Sequence, residues 1–211
     1  MGNMRVEYEQ EANRNGFHYV VGCDEAGRGP MAGPLVVGAC MFKEGYENDA
    51  INDSKQLSEK KREALFDQII EDAIAYSIQI IDVDEVDKLN VYEASRQGML
   101  RCIENLSIKP DFVLTDAMPL PSDIAHVSII KGDAKSVSIA AASILAKVTR
   151  DRIMNEYDTL YPQYNFKKHK GYPTKEHKAL LKEYGPCPIH RRSFKPVQEV
   201  LNVQLSIFDD L

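Results

Sequence analysis

Val-Val-Gly-Cys-Asp-Glu-Ala-Gly-Arg-Gly-Pro-Met-Ala-Gly-Pro-Leu-Val-Val-Gly, residues 20–38, is the stretch on which the reading of this chain turns. An apolar run ends in two adjacent carboxylates, Asp24 and Glu25. A loop with Gly27, Gly29, Pro30, Gly33 and Pro34 follows, and then a second apolar run. The pattern reads as strand, sharp turn, strand. Neighbouring side chains on a regular strand point to opposite faces. Asp24 and Glu25 therefore share one site only if the strand ends between them and the backbone turns, which the glycines beyond permit. Paired carboxylates raise each other's pKa unless a cation lies between them, and hard oxygen donors in that setting select magnesium or manganese.

Outward from this stretch, the first strand runs from His18 to Asp24 and the second from Leu35 to Phe42, and their short connection makes them antiparallel neighbours. Residues 1–16 are polar and without periodicity, a flexible lead-in. Asn52–Ser58 is a polar loop ending in an N-cap, after which Leu65, Phe66, Ile69, Ile70 and Ala73 share a helix face. Tyr76–Val83 reads as a third strand, Asp84–Asn90 as an acidic turn, and Val91–Leu106 as a second helix that Pro110 closes off. Asp111–Thr115 is a short strand stopping at Asp116, and the helical crossover places it parallel to the first. His126–Ile130 is a fifth. The helix from Ser136 to about Tyr157 is apolar nearly all round over Ile139–Ala146, so it is expected to be buried. Beyond Pro162 the chain turns basic and aromatic, and Thr174 caps a helix that Gly185 and Pro186 end.

At 211 residues the chain can bury a sizeable core as one domain with a modest extension. Hydrophobic residues at 44% and charged ones at 27% place it among soluble globular chains. No apolar run approaches the ~20 residues a bilayer span needs, and Glu7, Glu9 and Glu11 are out of place in a signal peptide. Cys23, Cys40, Cys102 and Cys187 are dispersed, as reduced packing thiols in a cytoplasmic protein would be. The net charge of -6 is unevenly laid out: residues 1–130 carry -11, residues 131–196 carry +8, and residues 197–211 carry -3. A basic segment beside an acidic cluster suits an enzyme that acts on a polyanion.

With the first and fourth strands parallel and adjacent, Asp24 and Asp116 both stand at carboxyl ends, where open α/β sheets place their sites. Asp133, opening the long helix, closes the ring. Four carboxylates around one point can hold two divalent ions, and ions ~4 Å apart clamp the attacking and leaving oxygens of a phosphodiester. The chemistry expected is phosphodiester hydrolysis.

These residues resemble a known family. Cys23–Pro34, Asp53-Ser54-Lys55, Thr115-Asp116, Lys131-Gly132-Asp133, the Ser138–Asp151 helix, His169-Lys170-Gly171-Tyr172 and His190-Arg191-Arg192-Ser193-Phe194 are similar, in order and spacing, to bacterial ribonuclease HII over about residues 18–200. The resemblance implies an α/β, ribonuclease H-like fold: a central mixed five-stranded sheet flanked by helices, in a catalytic domain of residues 17–200 with a C-terminal helical extension over about 160–200. It implies a Mg2+- or Mn2+-dependent endonuclease, with two ions when substrate is bound, that cuts the RNA strand of RNA/DNA hybrids. The cut falls 5' to a ribonucleotide, including a single one in duplex DNA, and leaves 3'-hydroxyl and 5'-phosphate ends. Carried over by residue, Asp24, Glu25 and Asp116 are metal ligands and Asp133 is the fourth catalytic carboxylate. Gly27, Arg28 and Gly29 approach the ribose 2'-hydroxyl, Tyr172 packs against the sugar on the DNA side, and Lys55, Lys147, His169, Lys170 and Arg191 are substrate contacts.

Within the tail, residues 201–211, Gln204-Leu205-Ser206-Ile207-Phe208 resembles the short peptide by which replication and repair proteins dock on the sliding clamp, with Gln204, Leu205, Ile207 and Phe208 as the partner-binding residues. The partners implied are RNA/DNA hybrid, ribonucleotide-containing duplex DNA and the clamp, with a monomeric enzyme and no membrane. A resolvase-type nuclease on the same scaffold is the rival reading, and a non-enzymatic, clamp-tethered nucleic-acid-binding protein is another. A nicotinamide site is excluded, because Gly27, Gly29 and Gly33 miss the G-x-G-x-x-G spacing and Pro30 and Pro34 sit where its helix would begin.

Overall fold

β1 (Val20–Ala26) is the strand around which the sheet is assembled. On one side β2 (Leu35–Met41) pairs with it antiparallel, from Val21↔Met41 to Ala26↔Val36. On the other side β4 (Phe112–Asp116) runs parallel, from Val20↔Phe112 to Cys23↔Thr115. β3 (Ala75–Ile81) and β5 (Ala125–Ile129) are the edges, giving the order β3-β2-β1-β4-β5 in a mixed sheet of the ribonuclease H-like kind. The structure, a computed structural model, describes residues 6–209, with side chains described for 6–202.

Contacts divide the chain into two compact units. The first comprises the chain up to Ala26, Val36–Ile80 and Ser95–Thr149. Besides most of the sheet it holds α1 (Glu7–Arg14), α2 (Glu59–Asp72), the greater part of α4 (Val91–Glu104) and the first half of α5 (Val137–Leu160). The stretch Val137–Ala146 is buried at every position, as its all-round apolar sequence requires. Its backbone comes so near the sheet that only glycine fits opposite. A Cβ at Gly22 would stand 2.2 Å from the Ser138 carbonyl carbon, and one at Gly38 would stand 2.4 Å from the Ala142 oxygen. Ile144, Leu145 and Val148 then fill a core with Leu65, Phe66 and Ile69 of α2. Each such side chain contributes about 1.5–3 kcal/mol by burial.

The second unit comprises Gly27–Leu35, Ile81–Ala94 and the chain from Arg150 on. It contains α3 (Val83–Leu89), α6 (Phe166–His169), α7 (Lys175–Tyr184) and α8 (Lys195–Asp209). Its core gathers Ala32, Val83, Met154, Tyr164, Phe166 and Ile189, with a smaller group of Met31, Leu181 and Val197.

Three stretches differ from the sequence reading. The expected loose lead-in carries α1, held because Glu9 accepts hydrogen bonds from the Ser136 hydroxyl (2.6 Å) and the Ser138 N–H (3.0 Å) at the start of α5. The expected acidic turn is α3, capped by Asp82, whose side chain accepts from the Glu85 N–H at 2.8 Å. The expected tail is helical in its backbone as far as Asp209, as the end of α8. The side chains of Gln204, Leu205, Ile207 and Phe208 lie outside the described residues. Among the described residues no helix is long and apolar enough to cross a membrane.

Candidate active site

The parallel ladder between β1 and β4 ends at Cys23↔Thr115, so Asp24 and Asp116 are the next residues on adjacent strands. Asp133 arrives from a short 3-10 turn, Gly132–Ala134, just ahead of α5. The turn is tied to β4 by the Gly132 N–H, which donates to Asp116 Oδ1 at 2.7 Å. One carboxylate oxygen from each of Asp24, Asp116 and Asp133 lies within 4.8 Å of the others. Asp24 and Asp133 are buried and Asp116 half-buried.

Burial pushes the Asp24 carboxyl well above the usual carboxylate range, and the charges of Glu25 and Asp116 push it further. Hydrogen bonds from Ser143 and from the Glu25 N–H, the latter at 2.7 Å, act the other way without reversing the shift. Ser143 is itself paired with Ser54 at 3.0 Å, which links the Asp53-Ser54-Lys55 loop to α5. Lys55 Nζ stands 3.5 Å from Asp133 with its side chain 76% exposed. Burial works against the Lys55 charge, but Asp133, Asp24 and Asp53 outweigh it and hold its pKa up. An all-oxygen donor set with crowded negative charge fits a hard divalent cation of the magnesium or manganese kind.

Glu25 does not join the three aspartates. β1 continues unbroken to Ala26, with Glu25 opposite Val37, so the turn that would bring both side chains to one place is absent. Glu25 is half-buried, and its charge still reaches Asp24.

In the second unit, Gly27 begins the loop with φ 106°, and a Cβ there would meet Arg150 Nε at 2.4 Å. Arg150 is buried and donates to the carbonyls of Pro34 (2.9 Å), Ala32 (3.1 Å) and Lys170 (2.9 Å). Arg28 is half-buried and Gly29 exposed. A Cβ built at Gly29 would stand 3.4 Å from Tyr172 Cε1, so the exposed Tyr172 ring lies against this glycine.

Two expected substrate contacts are buried in the second unit. Arg191 is 0% exposed, and its guanidinium donates to the carbonyls of Gly33 (3.0 Å) and Arg28 (3.4 Å), so it braces the loop from within. Burial, then the nearby Arg150 charge, pull its pKa down to about 9, and burial pulls Arg150 down to about 10. His169 is buried too, with Nε2 donating to the Tyr164 carbonyl (2.7 Å) and Nδ1 accepting from the Gly171 N–H (3.2 Å). Lys170, in the left-handed region at φ 49°, gives its ammonium to Asn155, and Lys147 is half-buried on α5.

Sequence reasoning passed over Ser143, Arg150 and His177. The signal for Arg150 was present, since a charge on a buried helix needs partners.

A divalent-metal phosphodiesterase on a ribonuclease H-like sheet is the class that this fold and carboxylate group define. The family model described as Ribonuclease HII matches residues 21–197. Ribonuclease HII of Bacillus licheniformis is 53% identical over 193 residues, which cover 92% of this chain and 76% of that protein. The crystal structure of ribonuclease H2 from Pyrococcus horikoshii superposes with a TM-score of 0.76 at 30% identity, covering 88% of this chain and 98% of that one. The ribonuclease HII in the PCNA complex from Archaeoglobus fulgidus shares the fold at 24% identity and a TM-score of 0.66, covering 86% of this chain and 96% of that one. The chain belongs to the ribonuclease HII family and is an endonuclease of the ribonuclease H type.

Proposed function

We propose that this endonuclease nicks duplex DNA 5' to a single embedded ribonucleotide, as well as cutting the RNA strand of longer RNA/DNA hybrids, and so begins ribonucleotide removal. The observation that carries the reading is the placement of the exposed Tyr172 ring beside Gly29, where a Cβ on the glycine would stand 3.4 Å from the ring. Gly27, Arg28 and Gly29 offer backbone groups to the 2'-hydroxyl, the one atom that separates RNA from DNA. The Tyr172 ring packs against the next sugar, where a deoxyribose fits and a second hydroxyl is disfavoured.

Asp24, Asp116 and Asp133 would hold divalent cations of the magnesium or manganese kind, with Glu25 as a further ligand. Held there, such ions would supply charge neutralisation at the scissile phosphate and an activated water at neutral pH. The chain's own residues do the rest. Ser143 and the Gly132 N–H hold two of the carboxylates in place, and Lys55 neutralises Asp133 and faces the backbone phosphate. Lys147 and Lys170 are further phosphate contacts, which position rather than specify. The free, buried thiols of Cys23, Cys40 and Cys102 agree with a reducing, cytoplasmic compartment.

An end-labelled duplex with one ribonucleotide, incubated with magnesium beside the identical all-DNA duplex, tests this reading. One nick 5' to the ribonucleotide, absent from the control, is expected. Equal cutting of both duplexes would contradict it and favour a resolvase-type nuclease.

The C-terminal segment, with Gln204, Leu205, Ile207 and Phe208, is proposed to bind a sliding clamp. The reading rests on that pentapeptide and on the Archaeoglobus fulgidus protein having been seen with PCNA. Deleting the last eight residues is expected to abolish clamp binding and spare hydrolysis. Retained binding would remove the proposal.

A further inference from the structure

Away from the carboxylates, three histidines of the second unit are buried together: His169, His177 and His190. The rings of His169 and His177 stack, centroids 4.1 Å apart and planes 13° from parallel, and His177 Nε2 lies 3.1 Å from His190 Nε2. Their partners fix where the protons are. The Tyr172 carbonyl can only accept, so His177 Nδ1, 2.9 Å from it, carries the hydrogen and its Nε2 is an acceptor. His190 Nε2 must then donate to His177, while His190 Nδ1 accepts from the Cys187 N–H at 3.0 Å. One line of hydrogen bonds runs from Cys187 through both imidazoles to the backbone of Tyr172. The ring nitrogens of His177 and His190 are all engaged in it, leaving none for a metal ion.

The line joins two segments. At one end the Tyr172 carbonyl also accepts from the Thr174 N–H at 2.8 Å, so two donors hold it. At the other end His190 forms an antiparallel bridge with Ala32. The flanking bonds Gly33 N–H to Ile189 (2.8 Å) and Arg191 N–H to Met31 (2.9 Å) fasten it to the loop that begins at Gly27. The Tyr172 ring meets that same loop at Gly29. The spacing between the ring and Gly29 is thus set by several ties: the Met31 N–H donating to the Gly171 carbonyl at 3.0 Å, Arg150 joining the Ala32 and Pro34 carbonyls to that of Lys170, and the imidazole pair behind the ring.

We propose that His177 and His190 are positioning residues whose mutual hydrogen bond, beside the Met31–Gly171 and Arg150 ties, tunes the gap between Tyr172 and the Gly27–Gly33 loop, and with it the preference for a ribose–deoxyribose junction over continuous RNA. The inference rests on the role given above to Tyr172. A buried hydrogen bond of this kind changes an equilibrium by about threefold to tenfold, and a misplacement of about 1 Å is enough to alter selectivity.

The test is the ratio of kcat/KM on a single-ribonucleotide duplex to kcat/KM on a continuous RNA/DNA hybrid, measured for the full chain. Four forms are compared: wild type, Tyr172→Ala, His177→Phe, which keeps the stacked ring and loses both nitrogens, and His190→Gln, which keeps a donor at the Nε2 position. The expected result is a ratio about threefold to tenfold lower in His177→Phe, with kcat on the hybrid within about twofold of wild type and the ratio largely restored in His190→Gln. An equal loss on both substrates would mark a merely structural role and overturn the proposal, as would an unchanged ratio. If Tyr172→Ala lowers the ratio and His177→Phe does not, only the histidine proposal falls; if Tyr172→Ala leaves it unchanged, the reading of Tyr172 falls and takes the proposal with it. Should His177→Phe not fold, 15N resonances of the wild-type imidazoles decide. Hydrogens on His177 Nδ1 and His190 Nε2 support the line of bonds, and the opposite tautomers overturn it.

Discussion

The carboxylate group of the first unit and the arginine–histidine core of the second bury polar side chains in opposite ways. Asp24, Asp116 and Asp133 gather like charges at the end of a sheet, and burial and repulsion keep Asp24 hard to ionise. Arg150, Arg191, His169, His177 and His190 are as deeply buried; Arg150 and Arg191 repel each other and Arg191 Nη2 has no hydrogen-bond partner among the described residues, yet most of their polar atoms are engaged on backbone carbonyls and on one another. The first arrangement is unfavourable until a cation supplies the countercharge, while the second is a scaffold that fixes a loop and an aromatic ring. Conflict between buried charges marks where chemistry occurs, and buried groups engaged on backbone mark where shape must be kept.

The largest expected effect is that of Asp24→Asn. Cleavage is expected to fall by on the order of 10^3-fold or more, because a ligand and a charge are lost together. The same variant in EDTA should be more stable by about 1–2 kcal/mol, since one repelling buried charge is gone. Single-turnover cleavage and urea melts read the two effects, and a less stable Asp24→Asn in EDTA would contradict the idea that the site is strained.

Next is Arg150→Met, which leaves the carbonyls of Pro34, Ala32 and Lys170 without their donor and is expected to cost about 3 kcal/mol or more in a urea melt. An effect within about 0.5 kcal/mol would mean that the loop does not depend on it.

Acid should separate the two regions further. Burial holds His177 near 3 and His190 near 4, below the 6.5 of the unfolded chain. Between about pH 4 and 6.5 the unfolded state therefore binds more protons, so stability rises with pH through that window and is lost as pH falls through it. On the order of a few kcal/mol is expected between pH 7 and 5 at the urea midpoint, with a shallower slope in His177→Phe.

The smallest effect expected is that of Ser143→Ala. It removes a hydrogen bond to Asp24 and the partner of Ser54, and should lower kcat/KM about threefold to tenfold without altering the preference between junction and hybrid. A change in that preference would place Ser143 on the wrong side of the comparison.

Sequence legibility followed the range of the interactions. Asp24 and Asp116 could be paired in advance because strand ends and a helical crossover are local signals, and the buried helix with Asp133 just ahead of it was equally plain. The turn expected between Asp24 and Glu25 is absent because the glycines that permit one come after Ala26, and the strand pairing with Val37 and Val36 carries straight through. The helix at Val83–Leu89 had a legible signal in Asp82-x-x-Glu85, hidden by the high charge of the segment. That helix matters, since its Asp87 accepts from the N–H groups of Arg192 (2.6 Å) and Ser193 (3.1 Å). Arg191 and His169 read as substrate contacts through the family resemblance alone. What buries Arg191 is a partner 158 residues away at Gly33, which no local pattern announces.

The most direct measurement is a calorimetric titration of Mn2+ into the wild-type protein, Asp24→Asn and Tyr172→Ala. The account predicts that Asp24→Asn loses binding and that Tyr172→Ala binds as the wild type does, because the cation belongs to the carboxylates and the tyrosine to the choice of substrate. Unchanged Mn2+ affinity in Asp24→Asn would contradict it.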